Sequence, residues 1–187
     1  MAYIFDPDSL QALVREAAAL EEPIRGKIAF LRKRLEESHP GHVRHEDEWI
    51  FNFAGGAKGN MTILHASLTE YVIVFGTPFG TTGFSGRYST NDYFMILEGE
   101  HWVYEEDEVA HHVRKPGDVQ HTRPGTAHIY KMPGHCYALE YARGFIPSML
   151  PFGLADSLTS TLDLRSFGRT AHLYTRSFVG ELLRGKI

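Results

Sequence analysis

The run CYALEYARGFIP, Cys136 to Pro147, carries a single carboxylate, Glu140, among apolar and small residues. Turn formers bound it: Pro133 and Gly134 on one side, Gly144 and Pro147 on the other. In a strand alternate residues share a face, so Glu140 points with Cys136, Ala138 and Ala142, while Tyr137, Leu139 and Tyr141 pack the other side. The face around the carboxylate is made of small side chains and leaves room for something to lie against it. A carboxylate in so dry a strand needs a partner or a raised pKa.

Upstream of this run, period-two alternation holds back to Gly41, with apolar stretches separated by Gly and Pro turns. Trp49 to Phe53 reads as one strand, ended by Gly55 and Gly56. Ile63 to Phe75 reads as one long strand with His65, Ser67, Thr69, Tyr71, Ile73 and Phe75 on one face. Asp92 opens a second dry strand, DYFMIL, and shares a face with Phe94 and Ile96. Turns at Gly83, Gly86, Gly99, Pro116–Gly117, Pro124–Gly125 and Pro133–Gly134 favour an antiparallel barrel or sandwich over a parallel α/β sheet. Both ends switch to helical spacing. Asp6 can cap a first helix with Pro7 at its first position and Leu10, Leu13, Val14, Ala17 and Leu20 as its stripe; Pro23 opens a second on Ile24, Ile28, Leu31 and Leu35. Asp163 can cap a last helix whose stripe is Phe167, Ala171, Tyr174, Phe178 and Leu182, with Arg165, Arg169, Arg176 and Arg184 largely off it. Such a basic amphipathic helix suits either a membrane interface or closure of one end of the barrel. The expectation is a single α+β domain over residues 1–187, with N-terminal helices in 1–40, a β-barrel in 41–145 and C-terminal helices in 146–187.

At 187 residues, 43% hydrophobic and 22% charged, the chain is long enough to bury a sizeable core, and disorder is not expected. A net charge of −4 offers no basic field for nucleic acid. No segment is apolar over the roughly 18 residues of a membrane span, and Asp6 and Asp8 stand where a signal peptide would be basic and then apolar. The single cysteine, Cys136, cannot form an intramolecular disulfide and reads as a small core residue in a reducing compartment. A cytoplasmic protein, or one peripheral on a membrane surface, is expected.

Three arrangements compete for the chemistry. Asp92 and Glu140, facing one apolar interior, could not easily both ionise and would tend to share a proton, giving an acid and a base in one site; the alternative is that each pairs with Arg87 or Arg143. For a metal, KPGDVQHTRPGTAH looks like the second half of a cupin signature, with His128 after its PxG turn. The first half is missing: His101 stands alone, and His111 and His112 point to opposite faces, so no metal site is expected among the eleven histidines. His121 is held apart, because alternation could turn it inward. Nucleophilic catalysis finds no base beside Cys136, no GxSxG elbow and no phosphate loop.

Taken together, FDPDSL from Phe5, HPGHV from His39, EWIFNFAGGAKG from Glu48, LHASLTEYVIVFGT from Leu64, DYFMILEGE from Asp92, MPGHCYALEYARGFIPSMLPFG from Met132 and STLDLRSFGRT from Ser160 cover nearly the whole chain in order. They resemble the family of the fungal sterol Δ8-Δ7 isomerases and the sigma-1 receptor, with the MLPFG and STLDL tail nearer the isomerases. The resemblance implies a cupin-like β-barrel around a largely enclosed ligand cavity, closed by two C-terminal helices that lie on a membrane. It implies that Asp92 and Glu140 are the family's two essential acids, that Tyr71 and Phe75 lie beside them, and that His121 falls about where the family places a histidine. Tyr88 and Phe94 complete the expected ligand-binding set. The implied activity is a ring double-bond shift with no cofactor or metal; the alternative is a binding protein for hydrophobic amines or sterols without turnover. A trimer is expected only by analogy with the receptor, with AGGAKG as a possible close-packing stretch. No counterpart of the family's N-terminal membrane helix precedes Phe5, which reads as a trimmed form, of the endoplasmic reticulum membrane if eukaryotic, or a naturally anchorless one. Phe84 stands where relatives usually carry histidine, a departure that bears on substrate identity.

Overall fold

The computed structural model describes residues 3–186. Helices α1 (Pro7–Ala18) and α2 (Ile24–Ser38) are followed by ten strands: β1 (Ile50–Ala54), β2 (Ala57–Ala66), β3 (Glu70–Thr77), β4 (Thr81–Phe84), β5 (Asn91–Glu98), β6 (His101–Glu105), β7 (His112–Arg114), β8 (Val119–Thr122), β9 (His128–Met132) and β10 (Cys136–Arg143). A short 3-10 turn leads into α3 (Leu150–Thr159) and α4 (Leu164–Leu183). The strands form two antiparallel sheets, β1-β2-β3-β10-β5-β8 and β4-β9-β6-β7. The expected α+β, cupin-like architecture is present as a two-sheet jelly roll; its hydrogen bonding does not close into a continuous barrel.

Local sequence explains most of these elements. The Asp6 carboxylate accepts from the Ser9 backbone N–H at 2.9 Å with Pro7 at the first helical position, and Asp163 caps α4 through Ser166 in the same way. Gly55 and Gly56 form the β1–β2 hairpin with φ of 58° and 85°, the two successive left-handed residues that a tight hairpin of this hand requires. AGGAKG is therefore an internal turn.

The Cys136 run is β10, paired with β3 on one side and β5 on the other. Its outward side chains, Leu139 and Tyr141, join Val72, Val74, Met95 and Leu97 in a core roofed by Leu10, Val14 and Ala17 of α1 and Ile28, Leu31 and Leu35 of α2. Its inward side chains, Cys136, Ala138 and Ala142, join Met61, Ile63, Tyr71, Ile73, Phe75 and Ile96 in a second core capped by Leu173 and Tyr174 of α4. Covered on both faces, the strand is as dry as its composition implies. Each large side chain buried here contributes roughly 1.5–3 kcal/mol by removal from water.

Two sequence expectations need correction. Ile63 to Phe75 is a hairpin that turns between Ala66 and Glu70, and a register shift between Ile63 and His65 brings Ala66 to the inner face while His65 packs against Phe5 outside. On α4 the buried residues are Ser166, Thr170, Leu173, Tyr174 and Glu181; of the expected stripe only Tyr174 is fully buried, and Leu182 is exposed. Small and polar side chains let the helix sit close over the sheets, and Glu181 meets His42 Nδ1 at 2.7 Å.

Candidate active site

Strand register builds the site. Tyr71, Ala142, Asp92 and Thr122 lie side by side on β3, β10, β5 and β8, and the next inward row is Ile73, Glu140, Phe94 and Gln120. Asp92 and Glu140 are thus diagonal neighbours on one face, a relation that puts Cα atoms about 7–8 Å apart and side chains within reach. Both carboxyls line a cavity with about 120 Å³ open to the centres of water molecules. Tyr71, Phe75, Tyr88 and Phe94 line it with them, as do Met61 and Ile73.

Neither arginine considered as a partner reaches the pair. Arg87 bonds the Gly125 carbonyl at 2.6 Å and Glu106 at 2.7 Å, while Arg143 donates to the Tyr93 hydroxyl at 3.2 Å on the opposite face. The Tyr71 hydroxyl donates to Glu140 Oε1, and Asp92 Oδ1 is buried without a hydrogen-bond partner. Burial holds the Asp92 carboxyl well above its usual range and the neighbouring Glu140 charge adds to this, only partly offset by the Tyr93 backbone N–H. Glu140 is also raised by burial, but the Tyr71 hydrogen bond pulls it back down. The two groups titrate as a pair, and the asymmetry of their partners favours the proton on Asp92 and the charge on Glu140. Burial and the same carboxylates push the Tyr71 and Tyr88 hydroxyls far above their usual value, so both are donors at any working pH.

His121 is the one expected site residue that lies elsewhere. Opposite Tyr93 in the ladder, it faces the helical side, stacked on the Tyr93 ring at 4.2 Å with Nε2 2.9 Å from Asn91 Oδ1. Its neighbour Thr122, opposite Asp92, faces the cavity instead. Sequence reasoning missed the opposite wall: His101 and Tyr130, His128 after the PxG turn, and Phe152 and Tyr174 at the helical end. The alternation of His101 with Val103 was the available signal. Among the described residues no three His, Cys, Asp or Glu side chains converge as metal ligands would. A wider hollow of about 420 Å³ between α4 and residues 41–46 is lined by already paired groups, His42 with Glu181 and Arg44 with Glu48, and contains neither acid of the pair.

The family model described as ERG2 and Sigma1 receptor like protein matches residues 1–186. The chain belongs to this family. Within the ERG2 and sigma-1 receptor group, it is 46% identical over 186 residues to the C-8 sterol isomerase ERG2 of Gibberella zeae, covering 99% of this chain and 79% of that one. With the C-8 sterol isomerase of Pyricularia oryzae the identity is 47%, over 98% of this chain and 85% of the relative. The sigma non-opioid intracellular receptor 1 of Gallus gallus is 37% identical over 96% of this chain and 81% of its own. Among solved structures, an RmlC-like cupin from Shewanella frigidimarina matches 56% of this chain and 90% of its own at 16% identity, with a TM-score of 0.47.

Proposed function

We propose that the protein is a sterol isomerase that moves a ring double bond from the 8 to the 7 position, with Asp92 and Glu140 as its acid and base. The observation that carries this reading is a pair of buried carboxyls without a cationic partner among the described residues, Glu140 hydrogen-bonded by the Tyr71 hydroxyl and Asp92 with its Oδ1 unpaired, in an apolar cavity of a chain 43–47% identical to C-8 sterol isomerases. Asp92 gives its proton to C9 of the 8,9-alkene, leaving a tertiary cation at C8. Glu140, held as an anion by Tyr71, stabilises the cation and takes a proton from C7, whose C–H electrons become the 7,8-alkene. The site is left with Asp92 charged and Glu140 protonated; once the product leaves, Glu140 gives its proton to solvent and Asp92 takes one up, which resets the pair. This is general acid/base catalysis with electrostatic stabilisation in a water-poor site. It predicts affinity toward hydrophobic amines, whose ammonium group mimics the cation.

The test is to incubate the protein with a Δ8 sterol in deuterated water and analyse the product by mass spectrometry. A Δ7 product with one solvent deuterium is the expected result; unchanged sterol, from protein that binds a hydrophobic amine in a Glu140-dependent way, would instead support a binding protein like the sigma-1 receptor.

Two further results are expected. Tyr71→Phe removes the donor that favours ionised Glu140, so the pKa of that carboxyl rises. The acidic limb of the pH–rate profile moves to higher pH, and kcat falls about tenfold. Phe152, its ring 5.6 Å from Tyr88 and 6.4 Å from Phe84, covers the cavity from α3; Phe152→Ala speeds dissociation of a bound hydrophobic amine several-fold in a stopped-flow chase.

The C-terminal helices support contact with a membrane surface. No helix among the described residues is long and apolar enough to cross a bilayer, yet Leu164, Val179, Leu182 and Leu183 are exposed on α4 beside Arg165, Arg169, Arg176 and Arg184. Leu182→Asp with Leu183→Asp is expected to reduce co-sedimentation with anionic vesicles while leaving amine binding intact.

A further inference from the structure

The wall facing the carboxylates carries two imidazoles for which the isomerisation has no use. His101 on β6 is 2% exposed and His128 on β9 is 7% exposed, their ring centroids 6.2 Å apart, and both line the cavity. His101 lies against Phe94, the residue that pairs with Glu140 across β5 and β10, with ring centroids 4.7 Å apart, and against Tyr130 at 5.0 Å. Its Nδ1 is buried without a partner. The contact between His128 Nδ1 and Thr122 Oγ1 is long, 3.4 Å. A buried polar atom left unpaired is costly, so an unpaired nitrogen on a ring that lines a cavity marks a place where a ligand's polar atom belongs. Burial pushes His101 down to about 3 and His128 to about 4, so both rings are neutral in the working range. A neutral imidazole offers one N–H donor and one bare nitrogen acceptor, and a hydroxyl likewise both donates and accepts.

We propose that His101 and His128 hold the 3-hydroxyl of the sterol, and so set which ring carbons lie against Asp92 and Glu140. This rests on the sterol-isomerase reading above. A sterol is a rigid, apolar ring system whose 3-hydroxyl lies across two fused rings from C8. The cavity has the same division: an apolar middle of Met61, Ile73 and Phe75, the acid pair on the six-stranded sheet, and a neutral polar pair on the four-stranded sheet. Anchoring the hydroxyl fixes the register of the rings, where an apolar slot alone would let the substrate slide.

The test compares a Δ8 sterol with its 3-deoxy analogue in the parent protein and in His101→Phe, His128→Phe and His101→Gln. The parent is expected to prefer the hydroxylated sterol by about tenfold or more in kcat/KM, since a site built to bond a hydroxyl rejects the analogue lacking it. His101→Phe and His128→Phe lose most of that preference while still turning over the 3-deoxy sterol; His101→Gln, which keeps a donor and an acceptor, retains part of it. A general packing defect would slow both substrates equally and leave the ratio unchanged, and that result would overturn the proposal. So would a parent indifferent to the hydroxyl, a measurement that needs no variant to fold. If the parent turns over neither sterol, the isomerase reading fails by itself. Competition of the two sterols against a bound hydrophobic amine then still measures the hydroxyl preference and its dependence on His101 and His128.

Discussion

Asp92→Asn and Glu140→Gln, each in a folded protein, are expected to lower the rate of Δ8 sterol isomerisation by about 10²–10⁴, the usual contribution of a positioned acid or base. Neither amide can exchange a proton with carbon, and the double variant should be little worse than either single one, since the two groups act as a unit. Stability should move the other way. Burial raises both carboxyls above their unfolded values of 3.8 and 4.5, so the folded protein holds those protons more tightly than the unfolded chain does. The pair's favourable contribution is therefore full below the unfolded values and is lost as pH rises through the folded ones. At pH 8 the Asp92→Asn/Glu140→Gln protein should unfold at a higher urea concentration than the parent, and the advantage should shrink as pH falls toward 4. A parent equally or more stable at pH 8 would show that the carboxyls are not held in a dry site. The combination of lost turnover and gained stability separates a functional pair from a structural one, whose removal would weaken the fold.

Glu70→Ala is expected to destabilise the protein by about 3–5 kcal/mol, the range for removing one partner of a buried ion pair. Glu70 is fully buried at the start of β3, where its carboxylate accepts from the Ile4 and Phe5 backbone N–H groups at 2.7 and 3.3 Å. The Tyr141 hydroxyl lies 3.0 Å from it and Lys186 Nζ 2.9 Å away, so one side chain ties both ends of the chain to the middle of the large sheet. Removing it leaves a lysine only 10% exposed, and two backbone donors, without that acceptor. Urea unfolding followed by fluorescence reads the loss. Little change in the midpoint would mean that water reaches the N–H groups freely. Because Tyr141 points away from the cavity, amine binding by the folded fraction should be preserved.

How much of this was legible in the sequence follows from the range of the forces involved. The two faces of β10 are legible in the sequence, because strand alternation is a property of the backbone itself and the small residues around Glu140 have one natural place. The caps at Asp6 and Asp163 are legible because a cap is made within four residues. Asp92 and Glu140 were paired by a shared dryness of their strands, and the structure brings them onto one face.

Parity and partner are not carried by the local sequence. Alternation states that His121 and Thr122 point opposite ways; which of them faces the cavity is set by the register of β8 on β5, and a shift of one residue reverses it. The extra residue near Leu64 and the turn after Ala66 likewise break a parity that looks continuous in the sequence. Hydrophobicity alone picks out Phe167, Ala171, Tyr174, Phe178 and Leu182 on α4, whereas the docked face buries Ser166 and Thr170 and sets Glu181 against His42. Local sequence therefore determined the elements, their amphipathic faces and the presence of a dry carboxylate pair, because these depend on neighbours along the chain. Only the tertiary structure decided which faces meet, that two sheets rather than a closed barrel enclose the cavity, that two neutral imidazoles stand opposite the acids, and that Glu70 joins the chain's ends, because each depends on atoms brought together from distant parts of the sequence.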